Sequence, residues 1–222
     1  MRVFVTGGSG VLGRVTIPLL RSVGHYVFAP PREALNLLDG QTLKEAVSNF
    51  DAVLHLATRI PPLAMRGQAE AWMENDRLRR TVSRLLVDAA LADQTEVFVV
   101  PTVAFIYPRA FIADESTPVG NVPAYLQSVL AAEREAIRFA SAGRRGIVLR
   151  LGYLYGLGTG SSEPRDPALH VRGAGTALAI ALTAPTGLYN VVDDSQSVSN
   201  GRFTQATGWR PPGDATSDAD HP

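Results

Sequence analysis

The run RVFVTGGSGVLGRVTI, from Arg2 to Ile17, constrains the fold of this chain more than any other segment. An apolar, strand-like stretch ends at Thr6, and Gly7, Gly10 and Gly13 then recur at every third position before helical spacing takes over. Glycines so placed let the backbone turn tightly, bring its N–H groups close to a pyrophosphate and pack helix on strand. The helix N-terminus adds partial positive charge. A plain tight turn would use the same residues, but the position directly after the first strand favours a phosphate cradle formed by Gly7, Gly10, Val11, Leu12 and Gly13.

Beyond this unit, short apolar runs alternate with longer stretches of helical period, as expected for parallel strands joined by crossover helices. Strands are predicted at RVFVT, HYVFA, NLL, AVLHLA, EVFVVP, GIVLRLG and GLYNVV. Helices are predicted over 11–24, 41–50, about 71–92, from Tyr125 to near Gly143, and over 169–184. The fold class is therefore α/β, a doubly wound parallel sheet with helices on both faces. A chain of 222 residues, 45% of them apolar, suits one domain over 1–211. The polar, proline- and glycine-containing end at 212–222 reads as a disordered tail.

Composition narrows the function classes. Lysine plus arginine equals aspartate plus glutamate, 21 against 21, which leaves no basic surplus for a nucleic-acid backbone. No cysteine is present and the four histidines are far apart, so no local metal motif exists and no metal is expected. No window is long and apolar enough to span a membrane, and no leader precedes the first strand, so the expectation is a cytoplasmic protein with a small-molecule partner. A homodimer is compatible with this composition.

The segment TGGSGVLG resembles the TGxxGxxG signature of extended short-chain dehydrogenases/reductases, the NAD-dependent epimerase/dehydratase family. DAVLHLAT, ENDRLRRTVSRLLVDAA, FVVPTVAFIY, VLRLGYLYG, GLYNVVDD and RFTQATGWRP resemble later family segments in order, covering nearly the whole chain to Pro211. The resemblance implies a Rossmann-type domain holding NAD or NADP, with a reduced substrate lobe mainly within 152–211. Leu56, Ala57 and Thr58 would meet the cofactor after the AVLHLA strand. Arg32 falls at the position that pairs with the 2′-phosphate of NADP, which favours NADP over NAD, and Asn36 and Leu37 match an adenine contact.

The same resemblance assigns catalysis to Thr102, which would orient the substrate, and Tyr125, which would move a proton. The family lysine four residues after the tyrosine is Val129 here, so the usual cation that lowers the tyrosine pKa is missing. Tyr107 is read as a pocket wall, Asp114 and Glu115 as a solvated loop, and His55 as a core histidine bonded to backbone. Only 13 residues separate Gly156 from His170, where the family usually inserts much of its substrate lobe, and Gly173 stands where it often has an acid. The implied function is an NAD(P)-dependent oxidoreductase or epimerase/dehydratase-like enzyme on a small carbonyl or sugar-like metabolite. The alternatives are a dinucleotide-binding sensor or regulatory module without redox turnover, and a non-redox isomerase, lyase or cyclase.

Overall fold

A computed structural model describes residues 1–108 and 111–212. The expected disordered tail falls mostly on residues 213–222, outside those described. The strands in chain order are β1 (Arg2–Thr6), β2 (Tyr26–Phe28), β3 (Ala52–His55), β4 (Val97–Val103), β5 (Arg145–Leu151), β6 (Tyr153–Tyr155), β7 (Ala168–His170) and β8 (Gly187–Val191). Six of them form one parallel sheet in the order β2-β1-β3-β4-β5-β8, while β6 and β7 pair as a separate parallel ribbon. The helices are α1 (Val11–Ser22), α2 (Gly40–Val47), α3 (Met73–Arg77), α4 (Ser83–Leu91), α5 (Gln127–Ser141), α6 (Val171–Ala181) and α7 (Gly201–Thr207).

Side chains alternate across a strand, and both faces of this sheet are apolar. Val3, Val5, Ala52, Leu54, Val97, Val99, Ile147 and Leu149 point to the core shared with Ile17 and Leu20 of α1 and Leu178 of α6. Phe4, Val53, Phe98, Val100 and Val148 point to the opposite core, with Leu43 of α2, Leu86 of α4 and Phe139 of α5. Helix α5 sits so close to β5 that a Cβ on Gly146 would collide with the Ala136 carbonyl.

One predicted strand is corrected. Asn36 to Leu38 make a turn instead of pairing with a strand: Asn36 Oδ1 accepts from the Leu38 N–H, and the Asp39 N–H donates to the Asn36 carbonyl. Asp39 Oδ1 then caps α2 through the Gln41 and Thr42 N–H groups. Short Asn and Asp side chains offer the backbone these local partners, and three residues do not outweigh them. The helix predicted from 169 likewise starts only at Val171, because Ala168–His170 pair with Tyr153–Tyr155.

The helix predicted over 71–92 is interrupted. Leu78–Val82 form a π-turn between α3 and α4, so one extra residue is accommodated without breaking the rod. That turn packs beside α5 and the C-terminal end of β3.

Candidate dinucleotide crevice and its polar network

The glycine loop lies where β1 ends. Gly7 adopts φ +74°, and a Cβ there would come within 2.6 Å of the Ala57 nitrogen. The Gly10 N–H donates to the Gly7 carbonyl at 3.0 Å and closes the turn, after which Val11 and Leu12 open α1. A Cβ on Gly13 would collide with the Gly8 carbonyl. The backbone is thus folded on itself, with the free N–H groups of the first helical turn beyond it, which is the arrangement a pyrophosphate requires. The residues present fit a dinucleotide.

The C-terminal end of β3 is held against this loop by a chain of hydrogen bonds. The Ala57 N–H donates to Thr6 Oγ1 at 3.3 Å, and Thr6 Oγ1 lies 2.7 Å from His55 Nδ1. His55 Nε2 lies 3.3 Å from the Leu78 carbonyl on the π-turn. A carbonyl can only accept, so Nε2 carries the proton and Nδ1 accepts from the threonine hydroxyl. Burial holds the His55 pKa down to about 4, aided by the nearby positive charge of Arg79 and opposed by the Leu78 bond. The expected core histidine bonded to backbone is what the structure contains. Leu56 is buried, Ala57 half-buried and Thr58 exposed, so they pass from core to crevice in three steps. The Arg59 N–H donates to Asn75 Oδ1 at 3.0 Å and fastens the following loop to α3.

Arg32 and Arg59 converge on the Glu74 carboxylate at 2.5 and 3.6 Å, and all three side chains are about half exposed or more. Asn36 has its side-chain oxygen turned to the Leu38 N–H, and Leu37 packs on the core with α2 and α4.

Thr102 and Tyr125 lie in different surroundings. Tyr125 occupies a one-turn 3₁₀ segment before α5, is 42% exposed, and lies against Trp72 with ring centroids 5.1 Å apart and the rings tilted by 35°. Thr102 is buried, and its hydroxyl donates to Glu133 Oε1 at 2.9 Å. The register explains why: Thr102, Arg150 and Asn190 are direct neighbours on β4, β5 and β8. They continue the sheet face that α5 covers, where polar side chains replace the apolar ones. Arg150 donates to both Glu133 oxygens, at 2.8 and 2.7 Å, and to the Tyr107 hydroxyl at 2.7 Å, which in turn donates to Asn190 Oδ1 at 3.0 Å. Burial opposes the Arg150 charge, but Glu133 and Tyr107 overcome that opposition and raise its pKa above the ordinary arginine value.

Tyr107 therefore belongs to this network and is buried in it, beyond the pocket-wall role expected of it. Glu115 also differs from expectation, since its carboxylate accepts from the Asn190 N–H at 2.7 Å. Asp114 caps its own turn through Ser116 and Thr117, which lowers its pKa. Glu133, Arg150 and Asn190 were not singled out from the sequence, although an arginine inside GIVLRLG and a glutamate on the alanine-rich stripe of α5 are visible there. Val129 is fully buried and packs in one apolar cluster with Ile106, Val122 and Leu126. Nearby, the Phe105 and Tyr153 rings stack 4.0 Å apart with the Arg165 guanidinium 4.5 Å from the Tyr153 ring, beside the β6–β7 ribbon.

Comparison with known proteins agrees with this geometry. The 3-diazoavenalumate denitrifying reductase of a Streptomyces species is 32% identical over 189 residues, 77% of this chain; the match spans 62% of that relative's length. The structure of MoeE5 in complex with UDP-glucuronic acid and NAD superposes with a TM-score of 0.78 at 18% identity, covering 96% of this chain and 95% of that one. RMD from Pseudomonas aeruginosa complexed with NADPH gives a TM-score of 0.76 at 20% identity, with coverages of 95% and 93%. These two structures share the Rossmann fold. The model of the NAD dependent epimerase/dehydratase family matches residues 3–176, and the chain belongs to that family.

Proposed function

We propose that this protein is a nicotinamide-dinucleotide-dependent reductase of a small carbonyl or similarly electron-poor metabolite, with NADP(H) as its dinucleotide. The observation that carries the reading is the loop of Gly7 to Gly13, closed by its own hydrogen bond and seated against Ala57. A bound reduced nicotinamide would supply hydride. The chain's own residues do the rest: the glycine loop and the first turn of α1 take the diphosphate, and Leu56, Ala57 and Thr58 line the adjoining strand end.

Reduction is preferred over epimerisation for two reasons. Epimerisation must keep its oxidised intermediate enclosed until hydride returns to the other face, and here the lobe is a two-strand ribbon. The Streptomyces relative, moreover, is named as a reductase. Tyr125 faces the substrate in this reading and would give its hydroxyl proton to the alkoxide that hydride addition leaves, regaining one from water, and Thr102 acts through Glu133 as a positioning residue. Two arginines facing one carboxylate leave a net positive surface at Arg32 and Arg59. Exposed pairs of this kind contribute little, so a 2′-phosphate can replace Glu74 as their partner. We also place the protein in the cytoplasm as a homodimer; no helix among the described residues is long and apolar enough to cross a membrane.

The test is calorimetric titration with NADPH and NADH, followed by dinucleotide oxidation against a panel of aldehydes, ketones and diazo acids. Tighter binding of NADPH, loss of that preference in Arg32→Ala, and turnover of at least one substrate are expected. Failure of both dinucleotides to bind would refute the reading. Binding without any turnover would instead favour a dinucleotide sensor, the reading that the apolar packing of Val129 supports.

A further inference from the structure

Arg79 sits on the π-turn, 7% exposed, and among the described residues it has no ion-pair partner. Its Nη1 is buried without a hydrogen bond. Asp76, one turn earlier, is the acid whose charge it feels, yet Asp76 Oδ1 is itself buried without a partner. Burial lowers the Arg79 pKa to about 10, against the pull of Asp76, so the guanidinium is cationic at neutral pH. Asn75 Nδ2 and Ser83 Oγ, on the same rod, and Ser128 Oγ, on α5, are also buried and unpaired. Buried polar atoms without partners are uncommon, and an unpaired buried charge is the most destabilising of them.

The position of this charge matters. The carbonyl of the preceding Leu78 is bonded to His55, whose other nitrogen meets Thr6, the residue before Gly7. One imidazole ring thus separates the π-turn from the end of β1. Arg79 also lies close enough to His55 to oppose its protonation. A cation therefore lies beside His55, the link between the π-turn and the residue that precedes the glycine loop, and π-turns recur at functional sites.

We propose that Arg79 is an internal oxyanion-binding residue of the crevice, taking an oxygen either of the dinucleotide's phosphates or of a substrate carboxylate. The inference rests on the dinucleotide reading above for the first source and is independent of it for the second. Binding would give the guanidinium the partner that folding withholds, in the charge-assisted geometry arginine forms with planar or tetrahedral oxyanions.

The test compares wild type with Arg79→Met and Arg79→Lys by calorimetry and thermal shift, using NADPH, inorganic phosphate and benzoate as probes. At least a tenfold loss of NADPH affinity in Arg79→Met, partly restored in Arg79→Lys, assigns the oxygen to the dinucleotide. Unchanged NADPH affinity with loss of benzoate stabilisation of the NADP-saturated protein assigns it to the substrate. Unchanged response to every probe overturns the proposal. So does an Arg79→Met protein that fails to fold while Arg79→Lys binds as wild type, because the guanidinium would then be structural. If wild type binds neither NADPH nor NADH, the reductase reading falls, and the phosphate and benzoate shifts still decide the role of Arg79.

Discussion

Arg150 and Arg79 are both nearly enclosed, and their surroundings could hardly differ more. Arg150 has a bidentate carboxylate in Glu133 and a hydroxyl acceptor in Tyr107. Arg79 has Asp76 nearby but no bond at Nη1. The first charge is balanced inside the sheet–helix contact and ties β4, β5, β8 and α5 together. The second lies on the π-turn beside His55, with no bond at Nη1 to offset its burial. A buried charge satisfied by the chain organises the fold, whereas one left unsatisfied costs stability and, on the proposal above, gains its partner only when a ligand binds.

The largest effect should come from breaking the balanced pair. Glu133→Ala leaves Arg150 and Thr102 without their acceptor and is expected to lower stability by ~3–5 kcal/mol in urea denaturation. Pairing it with Arg150→Met should recover much of that loss.

Acid should act next, through the link beside Arg79. Unfolded histidine takes up a proton near its ordinary value of 6.5, but folded His55 resists until about 4. The unfolded state therefore binds more protons in that window, and stability falls as pH drops from 6.5 towards 4, by up to ~3 kcal/mol. His55→Gln should flatten the dependence, measured by denaturation at a series of pH values.

The unbalanced arginine should behave in the opposite way to Arg150. Arg79→Met is expected to leave stability unchanged or raise it by ~1 kcal/mol, because removing an uncompensated buried charge relieves desolvation. A loss as large as that of Glu133→Ala would erase the contrast. The smallest effect belongs to Tyr125→Phe, whose ring keeps its contact with Trp72 and whose exposure predicts a change within ~0.5 kcal/mol. Thermal melts of the two proteins would check it.

Much of the scaffold was legible from periodicity. Short apolar runs marked β1, β3, β4 and β5, and the glycine spacing marked the loop, because both signals are local. The NLL segment misled because its apolar pair looks like a strand end, while Asn36 and Asp39 have closer partners in their own backbone. The site was less legible. The missing cation at 129 could be read directly, but not that Ile106, Val122 and Leu126 close over the valine. Thr102 was recognisable as a hydroxyl at a strand end, while its bond to Glu133 depends on a register joining residues 102, 150 and 190. The π-turn that buries Arg79 was invisible for a similar reason, since one added residue hardly disturbs a helical period.

The contact between Trp72 and Tyr125 also equips the protein with an optical probe. Of its two tryptophans, Trp209 lies in the core against Phe203, with its indole N–H directed to Gly173 and Thr176. Trp72 is anchored instead to the Arg66 carbonyl, next to the tyrosine at the start of α5. Reduced nicotinamide absorbs where indole emits, so binding of a reduced dinucleotide is expected to quench indole emission, and replacing either tryptophan by phenylalanine would apportion the signal between the two sites.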